Sequence, residues 1–353
     1  MSGRRIVPRA LPRALPRTVR ALAVLALASA LTAGCSTPEP RVTGAAEEGG
    51  EPVRGEPAPS AASPYWVDPN SDAARQVRTW EKQGREAEAK ILRRISGRPV
   101  ADWPAWDDPA PGIRAAARSA ARTKKTILLV AYNIPHRDCG LYSAGGAKDA
   151  DAYRTWIGEF ADAIGDAPAT VILEPDALPH ITDGCTPPEH HAERYQLLSE
   201  AVDTLKARPN TKVYLDAGNP DWIDEPSKMA QPLRQAGIDR ADGFSLNVSN
   251  FQSNDSVKTY AGQLSDAVGG AHFVIDTSRN GNGPLSGGRE EAWCNPPGRG
   301  LGTPPTTDTG DDRLDAYLWI KRPGDSDGTC RGGPPAGDWW PEYALGLARR
   351  AAS

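Results

Sequence analysis

The sequence predicts an α/β domain built on a distorted, TIM-like barrel of seven parallel strands. Short apolar runs rich in β-branched residues alternate with segments of helical periodicity, which is the pattern of a parallel sheet covered by helices. About seven such repeats favour a closed barrel. An open, doubly wound sheet is the alternative, but no Gly-x-Gly-x-x-Gly follows the first apolar run.

The elements follow in chain order. Strands are predicted at residues 127–132, 171–173, 213–215, 243–246, 273–275 and 316–320, with a weaker candidate at 99–103. Helices are predicted at residues 113–122, 153–164, 194–206, 228–235 and 257–268. The region 69–96 is expected to be an N-terminal helix on the outside of the barrel.

Residues 1–34 have the pattern of an export signal. A basic stretch from Arg4 to Arg20 precedes an apolar run at 21–31, which is too short to span a bilayer. The run ends in Leu31-Thr-Ala-Gly-Cys35, which resembles a bacterial lipobox with Cys35 as the lipidated residue. The alternative is a plain secretory signal.

The remaining chain divides into a tether and one domain. Residues 35–62 are rich in Pro, Gly, Glu and Ala, and they carry too few large apolar side chains to order themselves. Residues 63–353 suit a single α/β domain, which we expect to be monomeric. The net charge of −4 predicts no nucleic-acid footprint. Contact with a membrane is expected only through the lipid anchor.

Removing Cys35 from the 5 cysteines leaves four, Cys139, Cys185, Cys294 and Cys330. An even number in an exported protein indicates two disulfides, and the sequence leaves all three pairings open. No two of these cysteines are close enough in sequence for a zinc ribbon. The histidines are scattered, so we expect neither a metal site nor a cofactor.

Nearly every predicted strand is followed by polar or charged residues. Single residues of this kind usually cap helices, but six strands sharing the feature predict a polar cleft across the barrel mouth. Three strings carry the most specific signal: Asn133-Ile-Pro-His-Arg-Asp138-Cys139 with Ser143-Ala-Gly-Gly146 after it, Glu174-Pro-Asp176, and Lys321-Arg-Pro-Gly-Asp325-Ser-Asp327. Carboxylates that face one cleft are what hydrolysis of a glycosidic bond requires.

These strings resemble glycoside hydrolase family 6, the inverting β-1,4-glucanases that include endoglucanases and cellobiohydrolases. The resemblance implies a distorted barrel of seven parallel strands and assigns roles to three aspartates. Asp176 matches the general acid, which must have a raised pKa. Asp138 matches the carboxylate that influences this acid and relays protons. Asp327 matches the residue proposed as the base, acting on water directly or through a second water.

The resemblance also implies the residues that bind sugar. Indole rings suit the apolar faces of pyranoses, and the chain has 10 Trp against 4 Phe. The expected substrate-binding residues are Trp103, Tyr132, Asp216, Trp222, Asn250, Trp293, Lys321 and Asp325. We assign Trp156 and Trp319 to the core. Trp339 and Trp340 stay unassigned.

Two positions depart from the family pattern. The family usually has Glu where this chain has Asp325, and often His where Asn219 stands. Neither change removes a proton-transfer group, so altered affinity is expected rather than loss of catalysis. The resemblance further implies disulfides between Cys139 and Cys185 and between Cys294 and Cys330.

The predicted function is endo-type hydrolysis of β-1,4-glucan chains. The segments at 182–194 and 283–309 are too short for the long loops that roof a cellobiohydrolase tunnel. The alternatives are an exo-acting cellobiohydrolase, a lipid-anchored glucan-binding protein without turnover, and a cell-wall interaction protein that uses the barrel as a scaffold.

Overall fold

The computed structural model describes residues 63–287 and 291–351. The predicted signal, the tether and Cys35 lie outside the described residues. Within the described ranges, no helix has the length and apolar character needed to cross a membrane.

A sheet of six parallel strands forms the centre of the domain. The strands are β1 (Ile127–Ala131), β2 (Ala169–Leu173), β3 (Thr211–Asp216), β4 (Gly243–Leu246), β5 (His272–Asp276) and β6 (Leu314–Leu318). They pair in chain order from β1 to β6 and curl into a half-barrel. All six predicted strands with a strong apolar pattern are therefore present, and the parallel α/β class is confirmed.

The weaker candidate at residues 99–103 does not become a seventh strand. It makes one parallel bridge, between Asp102 and Leu129. Its backbone also donates from Ala101 to the carbonyl of Trp319, at 2.9 Å. Pro99 is the first residue of the segment, and Pro104 follows its last residue. Because proline has no N–H to donate, the ladder cannot extend past either end. The count of seven strands is not confirmed for the described residues.

Nine α-helices surround the sheet within the described ranges. They are α1 (Asp72–Lys82), α2 (Glu86–Ser96), α3 (Ala110–Thr123), α4 (Ala150–Ile164), α5 (Pro179–Thr182), α6 (His191–Lys206), α7 (Ser227–Gln235), α8 (Asn254–Ala267) and α9 (Pro341–Arg349). Ser71, Asp149 and Ser253 each accept a backbone N–H of the first turn of α1, α4 and α8. The single N-terminal helix predicted at 69–96 is two helices separated by residues 83–85.

The strands are buried on both faces, which explains their nearly continuous apolar runs. In β1, Leu128 and Val130 join an inner cluster that lies inside the half-barrel. Leu129 points to the opposite face and joins the larger cluster beneath α3, α4, α6, α7 and α8. Trp156 and Trp319 are buried, as their periodicity indicated. Trp339 and Trp340 pack against a third cluster formed by α1, α2 and α9.

Candidate active site

A cavity of about 720 Å³ opens where the strands end. Its wall contains ten of the predicted site residues, namely Trp103, Tyr132, Asp138, Asp176, Asp216, Trp222, Asn250, Trp293, Lys321 and Asp327. The fold thus brings together side chains that lie more than two hundred positions apart in the sequence, because the carboxyl ends of parallel strands meet at one edge.

Asp176 lies just after β2, within the Glu-Pro-Asp string. Its φ of +70° is in the left-handed region, which an L-residue adopts at a cost. Its backbone N–H donates to Asp216 Oδ2 at 3.0 Å, and the Tyr132 hydroxyl donates to Asp176 Oδ2 at 3.4 Å. These contacts fix the carboxyl group in the cavity wall.

Burial raises the pKa of the Asp176 carboxyl to about 6. The imidazole of His180 opposes this rise, whereas the carboxylate of Asp138 adds to it. Burial, together with the charge of Asp176, also raises the pKa of Asp216 to about 7. The site therefore holds acidic groups that keep a proton at a higher pH than carboxyls in water.

Asp138 lies in the loop that follows β1. Its Oδ2 accepts the backbone N–H of Ser143 at 2.6 Å, which closes the loop on itself. Gly146 is required here, since its φ is +94° and an added Cβ would lie 1.9 Å from the carbonyl oxygen of Ile134. The Ser-Ala-Gly-Gly string thus shapes the turn that holds Asp138 at the cleft.

Two disulfides lie beside the cleft. The structure joins Cys139 to Cys185 and Cys294 to Cys330, with Cα–Cα distances of 6.1 and 6.3 Å. These are the pairs that the resemblance implied. The first links the loop after β1, next to Asp138, to the segment after α5. The second links the two segments that flank β6.

Asp327 is surrounded by cations. Arg279 Nη1 donates to its Oδ2 at 2.7 Å, and Lys321 Nζ lies 3.3 Å from its Oδ1. The backbone N–H of Asn295 also donates to Oδ2, at 3.0 Å. Burial by itself would raise the pKa of Asp327, but Arg279 and Lys321 outweigh it and hold the pKa below its usual range. Asp327 is therefore an ionised carboxylate in the same cavity wall as Asp176, whose pKa is raised.

The aromatic residues line the cavity at several points. Trp103 and Tyr132 meet edge to face at 5.3 Å, and the Trp103 indole N–H donates to the carbonyl of Ile320 at 2.9 Å. Trp222 donates its indole N–H to Asp183 at 2.8 Å. Trp293 is 38% exposed, so its ring is available to a ligand.

One contact joins the two loops at the cleft rim. The Tyr142 hydroxyl donates to Glu291 Oε1 at 3.2 Å, and its ring lies 5.9 Å from that of Trp293. Tyr142 is in the loop after β1, and the other two residues precede β6. All three side chains are exposed, and none of the three residues lies in a helix or a strand.

Asp325 does not line the cavity. Its carboxylate is buried and lies 2.6 Å from Arg322 Nε, three residues earlier in the same loop. The arginine holds the short carboxylate within this loop, and the contact between Asp325 and a sugar stays a prediction. Asn219 does line the cavity, and its side chain accepts the backbone N–H groups of Asp221 and Trp222.

Two structural residues were not recognised from the sequence. Glu174 is fully buried, and its carboxylate accepts the backbone N–H groups of Asn133 and Ile134 at 2.9–3.0 Å. It thereby fixes the start of the loop that carries Asp138. Arg279 is also fully buried and pairs with Asp327. Glu174 directly follows β2, whereas Arg279 lies three residues beyond the end of β5, and neither position by itself revealed the partner.

Three side chains of the metal-ligand type lie close together in the cavity wall. Ligand atoms of Asp138, Asp176 and His180 lie within 4.8 Å of one another. The Asp138 and Asp183 carboxylates outweigh the effect of burial and raise the pKa of His180 to about 9. A metal ion bound here would have to displace the proton that these carboxylates stabilise on the imidazole.

Comparisons with known proteins identify relatives of this chain. The sequence model of the family described as glycosyl hydrolases family 6 matches residues 60–351. Endoglucanase A of Thermobispora bispora is 41% identical over 333 residues, which are 92% of this chain and 69% of that protein. Endoglucanase 1 of Streptomyces halstedii is 43% identical over 291 residues, 79% of this chain and 87% of that protein.

A solved structure is also similar. The endoglucanase Cel6 from Mycobacterium tuberculosis, in complex with methyl-cellobiosyl-4-deoxy-4-thio-β-D-cellobioside, superposes with a TM-score of 0.76. The two sequences are 43% identical, and the match covers 82% of this chain and 98% of that one. From the family match and these identities, we conclude that the chain belongs to glycosyl hydrolase family 6.

Proposed function

We propose that this protein hydrolyses β-1,4-glucan chains at internal bonds, with inversion at the anomeric carbon. Asp176 is the general acid, Asp138 the carboxylate that tunes it, and Asp327 the group that acts on the attacking water. The enzyme works as a monomer and needs no cofactor. The glucan lies along the cavity on Trp103, Trp222 and Trp293.

One observation carries this proposal. Asp176 combines a pKa raised to about 6 with a fixed position in a cavity lined by tryptophans. A general acid must hold its proton until the glycosidic oxygen leaves, and its efficiency is greatest when its pKa lies near the operating pH. A glucan-binding protein without turnover would gain nothing from a buried carboxyl group of this kind.

Asp327 supports the second half of the reaction. Because two cations keep it ionised, it is a weak base for direct removal of a proton from water. Its negative charge can still orient a water molecule and stabilise the positive charge that develops on the sugar ring. Both of its oxygens are engaged by these cations, so we favour a relay in which a second water molecule passes the proton of the attacking water on to Asp327.

The proposal predicts release of reducing sugar from carboxymethyl cellulose. NMR of the first products of a soluble cello-oligosaccharide should show the α-anomer, since inversion converts a β-linkage into an α-hemiacetal. Asp176→Asn is the control for contaminating activity. A β-anomer as the first product would contradict the inverting mechanism, and no release by the wild type would leave only the binding or scaffold alternatives.

Endo-type attack is expected to lower viscosity early. On a soluble β-1,4-glucan, viscosity should fall steeply while few new reducing ends have formed, because cuts near the middle of a chain shorten it most. Viscometry and reducing-end counting on the same samples provide the measurement. A slow fall in viscosity with steady accumulation of cellobiose would instead indicate an exo-acting cellobiohydrolase.

We propose that the enzyme is exported and anchored through a lipid on Cys35. Cleavage of the predicted lipobox before Cys35 would leave a thiol for acylation, and stable anchoring requires more than one acyl chain. In the producing cell, wild-type protein should sediment with membranes and Cys35→Ser should not. An unchanged distribution of the variant would indicate a plain secretory signal.

A further inference from the structure

We infer that His180 is a positioning residue of the acid site, where its imidazolium pairs with Asp138 and Asp183 and places a positive charge next to Asp176. This inference rests on the proposed function, because it concerns the proton of the proposed general acid. Nothing in the sequence strings singled out this histidine.

The backbone places His180 next to the acid. His180 is the second residue of α5, and its backbone N–H donates to the Asp176 carbonyl at 2.9 Å. Its side chain is buried. The turn that begins with Asp176 therefore returns the imidazole to the cavity, and His180 is the one histidine in the cavity wall among the described residues.

The two ring nitrogens face two different carboxylates. Nδ1 lies 3.4 Å from Asp183 Oδ2, and Nε2 lies 3.9 Å from Asp138 Oδ1. Nδ1 is within hydrogen-bond distance of Asp183, whereas Nε2 is at ion-pair distance from Asp138, and only the imidazolium carries an N–H and a positive charge toward both carboxylates. The geometry therefore suits the charged form.

The imidazolium also contacts Trp222, one of the proposed sugar-binding tryptophans. The His180 ring meets Trp222 edge to face, with ring centroids 4.8 Å apart. Asp183 accepts the Trp222 indole N–H at 2.8 Å, so one carboxylate holds both rings. Asn219 lies nearby, but its side chain is engaged with the backbone at Asp221 and Trp222.

The charged groups around His180 and Asp176 come from several elements of the fold. Asp138 follows β1, Asp176 follows β2, and Asp183 ends α5; their charges raise the pKa of His180 to about 9 despite its burial. Tyr132 and Lys321 also face Asp176, and Lys321 lowers its pKa. His180 is the nearest of these cations in sequence to the acid, and its charge lowers the pKa of Asp176.

Removal of the charge should move the pH profile in a defined direction. Without the imidazolium, less positive charge offsets the repulsion between the carboxylates of Asp138 and Asp176. The two carboxyl groups therefore keep their shared proton to a higher pH. The basic limb of kcat/KM reports the acid in the free enzyme. In His180→Gln, this limb should therefore move to higher pH by roughly one to two units.

The decisive experiment compares three variants on a soluble β-1,4-glucan. His180→Gln removes the charge, and His180→Lys keeps a cation at the same position. His272→Gln is the matched control, because His272 also contacts an aspartate, Asp315, at 2.8 Å, but lies at the opposite edge of the sheet. We expect the basic limb to shift in His180→Gln, to return toward the wild-type position in His180→Lys, and to stay unchanged in His272→Gln.

The outcomes separate this inference from the proposed function. Hydrolysis by the wild type tests the function, whereas NMR titration of the His180 imidazole in the wild type tests the charge without any activity. An imidazole still protonated at pH 8 would support the inference. Titration near pH 6.5, or a basic limb that does not move in His180→Gln, or an equal shift in the lysine variant, would overturn it.

Discussion

Replacement of Asp176 by Ala is expected to lower kcat/KM on β-1,4-glucan by about 10²–10⁴-fold, which is the usual contribution of a general acid. The loss should be far smaller on an aryl cellobioside with an activated leaving group. A phenolate with a low pKa departs without being protonated, whereas a glucosyl oxygen does not. The measurement compares the fold-loss of kcat/KM on the glucan with the fold-loss of kcat/KM on the aryl cellobioside.

The control for this experiment is an aspartate outside the site. Asp239→Ala removes a carboxylate whose side chain is 72% exposed and should leave both activities unchanged. Circular dichroism of Asp176→Ala checks that the fold is retained. Equal losses on the two substrates would assign Asp176 a binding or structural role instead.

The raised pKa of Asp176 predicts how the activity of the wild type depends on pH. Asp176 must be protonated to act as an acid, and its pKa is raised to about 6. Activity on glucan should therefore decline as the pH rises above about 6. On the aryl substrate, which does not need the proton, the decline should be weaker.

Much of the fold follows from local patterns. The six apolar runs became strands because helices cover one face of the sheet and an inner cluster fills the other, so each run had to be apolar on both sides. The segment at 99–103 contributes Ala101 to the inner cluster but does not form a strand. Its flanking prolines leave room for only one bridge, although its Trp103 still reaches the cavity.

The candidate site could be predicted where specific strings carried the information. Asp138, Asp176 and Asp327 lie in such strings, and the structure brings all three to one cavity. Asp325 lies in the same string as Asp327, but its direction depends on Arg322, and no sequence rule states which neighbour a short carboxylate will contact.

His180 and Arg279 could not be recognised for a related reason. Each acts through a partner that is distant in the sequence. His180 meets Asp138 only because the loop after β1 folds back to α5, where the disulfide Cys139–Cys185 joins the two segments. Arg279 meets Asp327 only because β5 and β6 are neighbours. Tertiary contacts of this kind leave no periodic signal.

The second large effect is expected at Asp327. Asp327→Asn keeps the size of the side chain but removes the charge that faces the water, and it should lower kcat/KM on glucan by about 10²-fold or more. Unlike the loss at Asp176, this loss should be similar on the aryl substrate. A better leaving group does not supply the nucleophile, so the step that Asp327 assists remains slow on both.

A structural explanation of that loss must be tested as well. Arg279 is fully buried, and removal of its partner leaves an uncompensated cation, which typically costs about 3–5 kcal/mol of the free energy of unfolding. The double variant Arg279→Gln/Asp327→Asn removes both charges and should recover much of the stability measured by denaturant unfolding. If its activity stays as low as that of Asp327→Asn, the charge itself assists the reaction.

External azide gives the most direct assignment. In Asp327→Ala, the shortened side chain leaves space beside the sugar, and azide is a nucleophile that has no proton to lose. If Asp327 assists the attacking water, azide should accelerate cleavage of the aryl substrate and give the glycosyl azide of inverted configuration. Azide should not accelerate Asp176→Ala in this way, because there the missing group is on the leaving-group side. Recovery in Asp176→Ala and none in Asp327→Ala would reverse the two roles, and the assignment of acid and water-activating group would have to be exchanged.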